Sequence, residues 1–118
     1  PVLATFPKLK LVMAHLCSAY WDERVKLAEK YKDNLFFDIC GGLYEPPRRT
    51  DSRDGSRALP AEEAVRVFRA VGVERLMFAS GSTGHALVPD AAQVMGLDLT
   101  EEEKRLIFSE NAKRILGL

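Results

Sequence analysis

Apolar residues along this chain follow two alternating patterns. Short, nearly continuous apolar runs are separated by stretches in which apolar positions recur every three or four residues. The first run, Lys8 to His15, contains Leu9, Leu11, Val12, Met13 and Ala14. Such continuity predicts a parallel strand buried on both faces. A helix follows over Trp21 to Lys32, with Val25, Ala28 and Tyr31 on one face and Glu23, Arg24, Lys26, Glu29 and Lys30 on the other. The second strand is Leu35 to Cys40. Pro60-Ala61-Glu62-Glu63 then opens a helix, with proline early and acids in the first turn. Its apolar stripe is Ala64, Val67, Phe68 and Val71, and Gly72 ends it. A third strand covers Arg75 to Ala79, and a short helix covers Asp90 to Met95. The last helix has Thr100 as N-cap and Glu103 as the return partner of a capping box. Leu106, Ile107, Ala112, Ile115 and Leu116 are expected to face inward, and Gly117 closes the helix. Strand and helix alternation defines an α/β chain of parallel β/α units.

Two loops interrupt this alternation. Leu43 to Leu59 holds Pro46-Pro47, Arg48-Arg49, Arg53, Asp54-Gly55 and Arg57, and is expected to be exposed and mobile. Gly81-Ser82-Thr83-Gly84-His85 follows the third strand. The 118 residues suit one domain, 47% hydrophobic and 29% charged. The 17 basic and 17 acidic residues cancel, so nothing points to a nucleic-acid surface. No apolar run approaches the roughly 18 residues of a membrane span. The first residues carry no charged region or long apolar core of a signal peptide, so a cytoplasmic location is expected. Cys17 and Cys40 lie near strand ends as buried thiols rather than a disulfide framework.

Candidate chemistry gathers at the strand C-termini, where α/β enzymes build their sites. His15 ends the first strand, and an imidazole there suits a metal ligand or an acid–base group. Cys17 shares the strand parity of His15, and His85 lies in the loop after the third strand, so a Cys17–His85 nucleophile pair is a second candidate. Asp38 has the parity of Phe36 and Cys40, and is placed to orient His15 or to touch a ligand. The amides of Gly81 to Gly84 offer an anion cradle, although the lysine of a P-loop is missing. The arginines of the 43–59 loop can clamp a carboxylate.

Several segments together resemble a known family. They are Phe6-Pro7-Lys8-Leu9-Lys10 leading to Ala14-His15, then Asn34-Leu35-Phe36-Phe37-Asp38, Gly72-Val73-Glu74-Arg75-Leu76-Met77-Phe78, and the ending Leu99-Thr100-Glu101-Glu102-Glu103-Lys104 with Asn111-Ala112-Lys113-Arg114-Ile115-Leu116-Gly117. Their order is similar to that of the amidohydrolase-related, aminocarboxymuconate-semialdehyde decarboxylase-like family. The resemblance implies a metal-dependent (β/α)8 barrel, of which these residues are the C-terminal part with about the last three strands. A whole barrel takes about 200 residues or more. It also implies that His15 matches the family histidine of the sixth strand. Gly81 stands where the family has an aspartate, and His15-Leu16-Cys17-Ser18 stands where it often has His-x-Gly-Gly.

The resulting expectation is hydrolysis or decarboxylation of a small carboxylic-acid, amide or ester substrate, assisted by a divalent metal, with zinc as the first choice. His15 is the expected metal ligand, and Asp38, Cys17 and His85 are the expected catalytic residues. Two alternatives stand beside it: a non-catalytic or engineered half-barrel that self-associates, and a metal-free Cys–His esterase. Three parallel strands leave open sheet edges, so a homo-oligomer, or pairing with an N-terminal half, is expected.

Overall fold

The structure, a computed structural model, describes residues 2–16, 20–40, 43, 60–80 and 87–118. Helix α1 (Val2–Thr5) leads into strand β1 (Leu11–Met13), helix α2 (Trp21–Lys30), strand β2 (Leu35–Asp38) and helix α3 (Ala61–Val71). A 3-10 turn (Val73–Arg75) then feeds strand β3 (Leu76–Met77). Helices α4 (Leu87–Met95), α5 (Glu101–Arg105) and α6 (Asn111–Leu116) complete the chain, with a π-helical turn, Leu106–Glu110, joining the last two. The sheet order is β1-β2-β3, and both pairings are parallel. Leu11 lies opposite Leu35, and Asp38 opposite Met77.

The central strand is the one whose apolar run is buried on both faces. Leu35, Phe36 and Phe37 are all buried. Leu35 and Phe37 join the main core with Ala28, Ala64, Val67, Phe68, Val71 and Ile107, whereas Phe36 packs with Met77 and Ile115 on the other face. The α3 stripe is buried as its spacing requires. Gly72 closes that helix at φ +99°, a conformation that L side chains avoid. Thr100 and Glu103 form both halves of the capping box of α5.

Four expectations change. The first strand is short, Leu11–Met13, and lies at an edge with Val12 exposed. Its continuous apolar run does not mean burial on both faces: Leu11 and Met13, on one face, are half-buried, and Val12, on the other, is exposed. Helix α4 begins at Leu87, before Asp90, and takes Pro89 into its first turn, where no intrahelical N–H bond is lost. The last helix is interrupted. The N–H of Asn111 reaches back five residues to Leu106 O, and Ile107 O accepts a bond from Phe78 N–H at 2.8 Å. The fully inward positions of this segment are Ile107, Asn111 and Ile115, four residues apart, and Leu116 is 64% exposed instead of buried. Leu116 is one residue past Ile115, about 100° round the helix. The loop from 44 to 59 lies outside the described residues, as do its arginines. None of the described helices is long and apolar enough to cross a membrane.

Candidate functional site

The C-terminal ends of β1 and β2 bring His15, Asp38 and Cys40 together. β1 stops at Met13, the chain bends at Ala14, and His15 adopts φ +60°. A left-handed conformation costs a non-glycine residue about 1–2 kcal/mol. Neighbouring bonds hold it there. Asp38 grips both sides of the turn: its Oδ1 accepts the N–H of His15 at 2.9 Å, and its backbone carbonyl accepts the N–H of Leu16, also at 2.9 Å. Leu16 is fully buried and anchors the far side. On α2, the Arg24 guanidinium donates to the His15 carbonyl. His15 itself is exposed.

Asp38 Oδ1 also accepts the N–H of Cys40 at 3.3 Å and its thiol at 3.0 Å. Cys40 is buried and its thiol is pushed up to about 11, first by burial and then by its hydrogen bond to Asp38 and the charge of that carboxylate. The sulfur therefore stays protonated near neutral pH. On its other side, His15 Nδ1 lies 3.2 Å from Sγ and 3.4 Å from the Cys40 carbonyl oxygen.

His15 and Asp38 are thus in direct contact, through the histidine backbone N–H. Cys17 and His85 lie outside the described residues, as do Gly81 to Gly84. β1 ends two residues before His15, and the positive φ of His15 breaks the strand alternation there. Cys40 is the residue that sequence reasoning passed over. Its signal is its place two positions after Asp38, just past the end of β2. Arg24 gives no sequence signal, because its contact depends on how α2 packs.

A divalent metal is the group that this type of site implies. The described residues do not fit one by themselves. Among them, no three His, Cys, Asp or Glu side chains are placed to hold an ion, and a catalytic metal site takes about three protein ligands. Asp38 Oδ1 is already taken by three hydrogens, and the thiol of Cys40 is protonated.

No curated protein sequence matches the chain. Solved structures do. A dihydroxybenzoic acid decarboxylase from Polaromonas sp., with bound manganese and the inhibitor 2-nitroresorcinol, superposes with a TM-score of 0.70 at 14% identity, covering 99% of this chain and 36% of that one. A 5-carboxyvanillate decarboxylase from Sphingomonas paucimobilis gives 0.65 at 16% identity, covering 99% of this chain and 36% of its own. A 4-oxalomesaconate hydratase from Rhodopseudomonas palustris gives 0.60 at 22% identity, covering 98% and 37%. The chain therefore spans a little over a third of the length of each of these structures and has the fold of a portion of their barrel. Across residues 1–118 the sequence matches the amidohydrolase family, and the chain belongs to that family.

Proposed function

We propose that the chain supplies the His15–Asp38–Cys40 part of an amidohydrolase-type active site, and that this site decarboxylates a small carboxylic acid. The observation that carries the reading is His15, held in a left-handed conformation at the C-terminal face of a parallel sheet by the neighbouring strand's Asp38. A strained residue fixed by several bonds is a common property of active sites. Two of the structures described above are decarboxylases of hydroxylated aromatic acids, which makes such acids the first substrate class to test.

Decarboxylation breaks the bond between the carboxyl carbon and its neighbour. Carbon dioxide leaves, the electron pair stays on the neighbouring carbon, and that carbon takes a proton. In this reading His15 holds and delivers that proton, as a general acid placed at the strand ends. Asp38 positions His15 through its backbone. The remaining substrate contacts, and any ligands for a divalent metal, come from outside the described residues. An assembly that covers the open edge of β1, with a second copy or with further barrel strands, belongs to the same reading.

The test combines native mass spectrometry, metal analysis and release of carbon dioxide from hydroxybenzoate substrates. The expected result is an assembly above 13.2 kDa that carries a divalent metal and turns over an aromatic acid, with turnover lost in His15→Ala. A metal-free monomer that releases no carbon dioxide overturns the proposal and favours the scaffold alternative. Activity lost in Cys17→Ala but resistant to a chelator favours the Cys–His esterase instead.

A further inference from the structure

The contacts around His15 determine which ring nitrogen carries its hydrogen. Cys40 Sγ stands between two groups, Asp38 Oδ1 at 3.0 Å and His15 Nδ1 at 3.2 Å. A carboxylate only accepts, so the thiol hydrogen lies on the Asp38 side. The sulfur then presents a lone pair to Nδ1. Another group facing Nδ1, the Cys40 carbonyl oxygen at 3.4 Å, also only accepts. The thiol and this carbonyl therefore both call for a donor at Nδ1.

We infer that Cys40 is a positioning residue that holds neutral His15 in the tautomer with hydrogen on Nδ1, leaving the basic lone pair on Nε2. The chain of donors runs from Nδ1–H to Sγ and from Sγ–H to Asp38 Oδ1. Asp38 thus acts on His15 twice: it fixes the backbone directly and the ring through a thiol. A thiol suits the relay because it donates and accepts weakly, with a single hydrogen to place. The consequence for function rests on the proposal that His15 acts on substrate, because Nε2 is then the nitrogen that takes and returns the proton. The tautomer itself can be measured without substrate.

The test is a long-range proton–nitrogen correlation spectrum of the 15N-histidine-labelled chain at about pH 8, where an ordinary imidazole is neutral. The chain has two histidines, and a His85→Gln variant assigns the His15 signals. The expected pattern for His15 is the one with a protonated Nδ1. Cys40→Ala removes the sulfur from Nδ1, and the ratio of Nδ1–H to Nε2–H forms is expected to fall roughly fivefold, the effect of losing one ordinary hydrogen bond. Cys40→Ser, whose hydroxyl also donates and accepts, is expected to restore it. A native His15 protonated on Nε2 overturns the inference. So does a Cys40→Ala spectrum with an unchanged ratio in a chain whose amide signals remain dispersed. An inactive chain with the expected tautomer would refute the proposed decarboxylation and leave the role of Cys40 standing.

Discussion

At the scale of single residues, the site is a contest between strain and hydrogen bonding. His15 sits at φ +60°, where glycine is at ease and a Cβ is not. His15→Gly is therefore expected to be about 1 kcal/mol more stable than His15→Ala in urea unfolding. An alanine variant as stable as the glycine one would show that the turn is unstrained. Asp38 opposes that strain with one carboxylate oxygen that accepts three hydrogens. Asp38→Ala removes all three bonds, one of them to a buried thiol, and is expected to cost about 2–3 kcal/mol, read as a lower urea midpoint. His15 and Asp38 are visible in the sequence as polar residues ending apolar runs. Cys40 is not visible as a partner, because a cysteine near a strand end is usually inert packing.

At the scale of elements, the capping box at the start of α5 does two tasks. Thr100 Oγ1 accepts the N–H of Glu103, and Glu103 Oε2 accepts the N–H of Thr100 at 2.8 Å. Thr100→Ala is expected to lower stability by about 1 kcal/mol in chemical denaturation. Glu103 also takes Arg69 of α3 in a two-pronged pair at 2.9 and 3.0 Å. The Arg69 hydrogen bond, helped by the Thr100 amide, holds the carboxyl at about 2 against an ordinary 4.5. A depressed carboxyl contributes stability that is complete above its unfolded value and is lost as pH falls through the folded one. The urea midpoint should therefore fall between about pH 5 and pH 2. Glu103→Gln should show a smaller fall, and an equal fall in both proteins would remove Glu103 as its cause. The capping box is legible from Thr100 and Glu103 alone, whereas Arg69 lies 34 residues away and is found only in the folded chain.

At the scale of the whole molecule, the C-terminal helical segment packs against the sheet through Ile107 and Ile115 and is fastened by polar contacts. Asn111 is fully buried, and its Nδ2 donates to Val73 O and Leu76 O, both at 2.8 Å. Phe78 and Phe108 stack with ring centres 4.8 Å apart, and Lys10 Nζ donates to Ile115 O at 2.9 Å from the far end of the sheet. Asn111→Leu keeps the volume but takes the Nδ2 donor away from the Val73 and Leu76 carbonyls. It is expected to cost about 2–4 kcal/mol and to speed hydrogen exchange of the α6 amides. Unchanged exchange would show that the apolar contacts of Ile107 and Ile115 hold the segment alone. The Leu106–Glu110 turn belongs to the same scale. Its apolar pattern reads as one continuous helix, and only the approach of Phe78 N–H to Ile107 O explains the interruption.

The sequence by itself determined the alternation of strands and helices, the α3 stripe, the Thr100 start and the Gly72 and Gly117 stops. Each follows from residues within one or two turns of each other, where period, caps and backbone conformation act locally. It also marked His15 and Asp38 as polar ends of apolar runs. The tertiary structure alone decided that β1 is an edge and β2 the buried centre, because burial depends on neighbours rather than on the run itself. It alone brought Cys40 between a carboxylate and an imidazole. Contacts across 23 or 25 residues depend on sheet register, and register is set when the strands pair.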